Sequence, residues 1–78
     1  MPTTAIDLQV DARGLACPMP IVRTAQAMKT VASGGIVEVL ATDAGSVKDF
    51  AAWSRATGHA LMESSKDDGV FRFVLRHK

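Results

Sequence analysis

The run Ile6-Asp7-Leu8-Gln9-Val10-Asp11 alternates apolar and polar residues, and after Ala12-Arg13-Gly14-Leu15-Ala16 the chain enters Cys17-Pro18-Met19-Pro20-Ile21. The first run has the period of two expected of a strand with one buried face. From Pro18 to about Ala32 the residues Ile21, Ala25, Met28 and Ala32 recur at helical spacing instead. A strand therefore feeds a helix through a short loop, and the loop ends on the only cysteine of the chain.

The same alternation of elements continues outward. Ser33-Gly34-Gly35 supplies the stop for the helix, and Ile36-Val37-Glu38-Val39-Leu40-Ala41-Thr42 reads as a central strand covered on at least one face. A second helix is expected from about Ala44 to Thr57, with Val47, Phe50, Ala51 and Ser54 on its buried face, Gly58 as its stop, and Asp43 or Ser46 as its N-cap. Ala60 to Ser64 and Val70 to Arg76 read as two strands joined by Ser65-Lys66-Asp67-Asp68-Gly69, whose Asp68-Gly69 pair is a hairpin signal. The order βαβαββ implies a parallel first pair, an antiparallel last pair and an α/β (α+β) two-layer sandwich: a mixed four-stranded sheet with two helices on one face.

At 78 residues the chain is one domain, with residues 1–4 expected to be disordered. A chain of this size buries only about 60% of its unfolded surface, and one cysteine allows no internal disulfide. The start Met1-Pro2-Thr3-Thr4 lacks the basic and apolar regions of a signal peptide, and no apolar run approaches the length of a membrane span. A cytoplasmic location and no membrane partner are the expectations. Nine Lys plus Arg against eight Asp plus Glu, net +1, give no nucleic-acid signature. The local cluster Arg72, Arg76, His77 and Lys78 reads first as a solvated last strand and second as an RNA contact.

Cys17 carries the chemistry. A lone cysteine is by default a small buried hydrophobe, but two prolines and a helix start are more than packing requires. Proline suits the first turn of a helix, where backbone N–H groups have no intrahelical partner. The thiol then lies at or beside the N-cap, exposed, where the helix dipole is expected to depress its pKa. No second cysteine can resolve a sulfenic acid or complete a dithiol pair. His59, beyond the Gly58 stop, and His77, at a terminus expected to fray, are poor candidates for a base beside it. The scattered Cys17, His59 and His77 lack metal-site spacing, so no metal is expected.

Val10-Asp11-x-x-Gly14-x-x-Cys17-Pro18-x-Pro20 resembles the signature of the TusA-like (SirA/YhhP) sulfur-carrier family, and the likeness continues through Ser33-Gly34-Gly35, Thr42-Asp43, Lys48-Asp49-Phe50, Trp53 and Gly58-His59. The resemblance implies the same βαβαββ fold. It implies that Cys17 accepts sulfane sulfur as a persulfide from a cysteine desulfurase or rhodanese-like donor and passes it to a downstream acceptor protein. No dissociable cofactor is implied, since the carried group is the covalent persulfide. Gly14, Pro18 and Pro20 are then motif residues that position the thiol. Relatives serve tRNA 2-thiouridine formation, sulfur oxidation, molybdenum cofactor supply or selenium metabolism. Met19 stands where the tRNA-thiolation type has glutamate, and Ser54 stands where some relatives have cysteine.

Arg13, Met19, Arg23 and Asp43 are the further candidate partner contacts, the arginines as a source of positive potential around Cys17 and Met19 as a flexible apolar surface. Asp43 reads equally as a helix cap, and Trp53 reads as core or core edge before binding anchor. Two other functions remain open on the residues alone. One is a noncatalytic regulatory or protein-binding module in which Cys17 only packs. The other is a small RNA-binding domain, against which stand the four aromatics and the placing of Phe71 and Phe73 on one face of a strand expected to be buried. Direct nucleic-acid binding is therefore not the expectation.

Overall fold

The elements follow in the order β1 (Leu8–Ala12), α1 (Met19–Met28), β2 (Ile36–Ala41), α2 (Ser46–Thr57), β3 (Ala60–Asp67) and β4 (Val70–Arg76). The computed structural model describes residues 5–78, and the disorder expected of residues 1–4 lies outside them. The strands form one sheet in the order β1-β2-β4-β3. β1 pairs parallel to β2, with Val10 beside Val39, while β4 runs antiparallel to both of its neighbours. The mixed sheet with both helices on one face is the architecture expected from the sequence.

Alternation explains the two faces of the sheet. Val10 and Ala12, Val37, Val39 and Ala41, and Phe73 and Leu75 face the helices and form the core with Met28 and Phe50. Phe50 is fully buried and stacks on Phe73 with ring centroids 4.5 Å apart. That contact helps to fasten α2 to the sheet. The opposite face carries a polar ladder across the strands, in which Gln9 Nε2 donates to Glu38 Oε1 at 2.7 Å, and Arg72 bonds Glu38 at 2.5 Å and Glu63 at 3.1 Å. Arg72 is thus paired twice and is not a free cation of the last strand.

Several boundaries differ from those expected. β1 starts at Leu8 and includes Ala12, leaving Ile6 exposed, because the parallel register pairs Leu8 with Val37 and Ala12 with Ala41. α1 ends at Met28 and not near Ala32. Lys29, Thr30 and Val31 tighten into bonds to the carbonyls of Gln26, Ala27 and Met28, which stops the α-helical ladder before the glycines are reached. Thr24 is fully buried on this helix, its hydroxyl donating to Pro20 O at 2.8 Å. A threonine can enter the core here because its polar group is satisfied inside its own helix.

Neither Asp43 nor Ser46 caps α2. Gly45 is the N-cap and no side chain caps the helix, while Ser46 is its buried first residue. Val47, expected inside, is 41% exposed. Gly58 ends α2 in the left-handed conformation as expected. β3 extends through Asp67, past the expected Ser64, because Asp68 and Gly69 alone make the turn, both at positive φ, 51° and 79°. Such a two-residue turn matches the twist of a hairpin and lets pairing continue to its base. The terminus expected to fray is hydrogen-bonded to the loop before β2, since His77 N–H donates to Gly35 O and Gly34 N–H to His77 O, both at 2.9 Å.

Candidate functional site

The loop from β1 to α1 presents the cysteine. β1 ends at Ala12, whose carbonyl accepts from Leu15 N–H at 3.2 Å, and Gly14 turns the chain with φ at 80°, a conformation costly for any residue with a Cβ. Gly14 N–H then donates to Thr42 Oγ1 at 2.8 Å, which ties this loop to the one leaving β2. Met19 N–H donates to Ala16 O, Pro18 is the N-cap of α1, and Pro20 is buried in its first turn. The Cys17–Pro18 peptide is cis.

Cys17 is exposed and lies one residue outside the N-cap. It opens onto a groove of about 370 Å³ between the two helices, walled by Pro18 and Ile21 on one side and by Asp49, Ala52, Trp53 and Ala56 on the other. Trp53 meets Phe50 edge-on at 6.3 Å, so the core-edge residue expected from the sequence also forms the wall of the cysteine groove.

The thiol pKa is raised, contrary to the expectation from the helix dipole. The first cause is Asp49, which acts as a hydrogen-bond acceptor toward the thiol; partial desolvation and the negative charges of Asp49 and Asp43 add to it. A second anion beside a carboxylate is disfavoured. The helix start offers little to offset this. Pro18 and Pro20 have no N–H, and that of Met19 is given to Ala16 O, so the prolines that flank the thiol leave the helix end with fewer free donors than usual. Both carboxylates close on Gly45, where a Cβ would stand 3.0 Å from Asp43 Oδ2 and 4.0 Å from Asp49 Oδ2.

The candidate arginines do not supply positive charge to the thiol. Arg13 forks onto Asp11 through two bonds of 2.8 and 3.0 Å, and that contact holds the Asp11 carboxyl at about 2, with Arg23 adding a weaker attraction to the same group. Met19 is 41% exposed at the first position of α1, two residues from the thiol. Gly14, Pro18 and Pro20 sit in the loop and first turn on either side of Cys17. The histidines pair with each other, ring centroids 4.7 Å apart, and neither lines the groove.

Asp49 and Trp53 are legible in the sequence only as family landmarks, and nothing there places them, with Ala52 and Ala56, beside the thiol. Asp49, Ala52, Trp53 and Ala56 are spaced as one stripe of a helix, and that signal was available. It was overshadowed by the neighbouring stripe through Phe50, which packs on the sheet. Ser54 is not a groove residue, and its hydroxyl donates to His59 O.

Comparison with known proteins adds to this geometry. The profile of the family described as sulfurtransferase TusA matches residues 8–77. The chain is similar to the sulfur carrier protein TusA of Allochromatium vinosum, 46% identical over 70 residues covering 90% of this chain and 92% of the relative. It is 51% identical to YrkI of Bacillus subtilis, over 90% of this chain and 93% of that one. Its fold matches the crystal structure of a SirA-like protein from Desulfitobacterium hafniense with a TM-score of 0.78 at 28% identity, covering 88% of this chain and 95% of the other.

Proposed function

The chain belongs to the TusA sulfurtransferase family, and from that membership we propose that it is a persulfide sulfur carrier whose one covalent site is Cys17. The observation that carries the reading is the solitary exposed thiol, fixed by Pro18 and Pro20 at the mouth of an apolar groove. A carrier needs no base, metal or second thiol of its own, because each transfer is an exchange between two sulfurs.

In acceptance, the Cys17 thiolate attacks the outer sulfur of a donor persulfide. The Cys17 sulfur–sulfur bond forms, the donor's breaks, and the donor leaves as a thiolate. In delivery, an acceptor thiolate attacks the outer sulfur on Cys17, which departs as the leaving group. The donor fits a cysteine desulfurase or a rhodanese-like protein, and the acceptor is the next protein of a relay such as tRNA thiolation. Asp49 lines the groove that such partners would cover, and exposed Met19, two residues from the thiol, supports a contact there. Pairing of Arg72 with Glu38 and Glu63 leaves less basic surface for the RNA-binding alternative.

Intact-mass measurement tests the reading. After incubation with a cysteine desulfurase and cysteine, the protein is expected to gain about 32 Da, one sulfur atom, removable by a thiol reductant. Cys17→Ser is expected to stay folded and gain nothing. Sulfur uptake by the folded Ser variant, or none by the wild type with active donors, overturns it.

A further inference from the structure

The groove beside Cys17 constrains what can occupy it. Its walls are apolar, from Pro18 and Ile21 across to Ala52, Trp53 and Ala56, and among the described residues its one charged lining group is Asp49. Asp43 brings a second carboxylate to the same helix start, next to Gly45. Of the arginines that flank Cys17 in sequence, Arg13 is forked onto Asp11, and among the described residues neither arginine forms an ion pair with Asp49 or Asp43. The thiol thus sits in an apolar trough with an unbalanced negative rim.

We infer that the partner segment docking in this groove is an apolar, cysteine-bearing loop carrying a lysine or arginine, placed so that its cation meets Asp49 as its sulfur meets Cys17. The inference rests on the carrier reading and specifies the partner. A sulfur that comes within bonding distance of Cys17 covers the groove, and an uncharged loop would strip water from Asp49 without replacing it. An acidic loop would add repulsion, whereas a basic one pairs the carboxylate in a water-poor setting. The apolar walls accept the rest of the loop.

The same ion pair would govern reactivity. Asp49 disfavours charge on the thiol. A cation bound to Asp49 reduces that penalty, so Cys17 loses its proton to solvent more readily once the right partner is seated. During delivery the same cation stabilises the departing Cys17 thiolate, and a thiol of lower pKa leaves faster. Correct docking and sulfur exchange are thereby coupled through one carboxylate.

Two synthetic peptides test this, Leu-Cys-Gly-Lys-Leu and Leu-Cys-Gly-Glu-Leu, blocked at both ends and activated as mixed disulfides with thiopyridine. Cys17 attacks the peptide sulfur, a protein–peptide disulfide forms, and thiopyridone leaves and is followed by absorbance. The ratio of lysine-peptide to glutamate-peptide rates is divided by the same ratio for mercaptoethanol, which removes differences between the reagents. The corrected ratio is expected to be at least about fivefold for the wild type, as expected for one charge contact near 4 Å in water. It should fall toward one at high salt and in Asp49→Asn, with Asp49→Ser as a second variant should the first unfold. A ratio of one in the wild type, or an unchanged ratio in the folded variants, overturns the inference. Sulfur uptake is measured on the same samples. Loss of uptake with the ratio intact removes the carrier reading alone, and a ratio of one with uptake intact removes the basic partner alone.

Discussion

The backbone N–H of Gly14 donates to the hydroxyl of Thr42 at 2.8 Å, so the loop that presents Cys17 is hydrogen-bonded to the loop that leads to Asp43 and α2. These loops leave parallel, adjacent strands, which brings them to the same edge of the sheet. One threonine thus sets the relation between the thiol and its acidic neighbours.

Thr42→Val keeps the side-chain shape and removes the acceptor. The bond is exposed, so water can replace it, and the stability loss should be about 0.5–1 kcal/mol in urea unfolding. Sulfur acceptance in a single-turnover assay should fall by a larger factor than stability accounts for, because the cysteine loop loses its anchor. Unchanged turnover would mean that Pro18, Pro20 and α1 hold the thiol unaided.

The pH profile of Cys17 alkylation reports its surroundings. Iodoacetamide should label the native protein without denaturant, since the thiol is exposed. Asp49 and Asp43 raise its pKa, so the native rate should rise at higher pH than that of the denatured chain, whose midpoint lies near ~8.5. Asp49→Asn should move the native midpoint down. A native midpoint below the denatured one would mean that the helix dipole outweighs both carboxylates.

The fold was legible because each element declares its period and its stops. Ile36 to Ala41 could be read as a central strand, and Asp68-Gly69 as a hairpin turn, from residue types alone. Cys17 was legible as a thiol at a helix start for the same reason, since Pro18 and Pro20 have few other uses. Its electrostatics were not. They depend on Asp49, 32 positions away in sequence, which the packing of α2 against α1 brings to the thiol. Arg13 and Arg23 are near Cys17 in sequence, yet both act on Asp11. Charge pairing is a tertiary property, and neighbours in sequence are a poor guide to it.

Arg72 and Arg76 should behave differently despite their similar place on β4. Arg72 bonds two glutamates across the sheet, while Arg76 is exposed. Arg72→Ala should cost about 1 kcal/mol, near the top of the range for surface ion pairs because Glu38 also loses part of a network. Arg76→Glu should leave stability and sulfur transfer within experimental error. A large transfer loss in Arg76→Glu would move the partner surface to the last strand.

Acid should weaken the domain first through His59. Its ring is buried, Nδ1 accepts from Lys78 N–H at 3.2 Å, and His77 and Trp53 lie against it. Burial lowers its pKa, helped by the positive charges of His77 and Lys78, so the folded protein holds the ring neutral below the pH at which the unfolded chain protonates it. The unfolded state therefore binds more protons in that window, and stability falls as pH drops from about 6.5 through the folded value. Asp11, held at about 2, and Glu38, also lowered, stay ionised there and contribute only in stronger acid. Urea unfolding from about pH 7 to about pH 5 should show this decline in the wild type and a flatter profile in His59→Gln. Nuclear magnetic resonance titration of the His59 ring should place its midpoint below that of the denatured chain. A midpoint at or above the denatured value, or equal slopes in the two proteins, would assign the acid sensitivity to other groups.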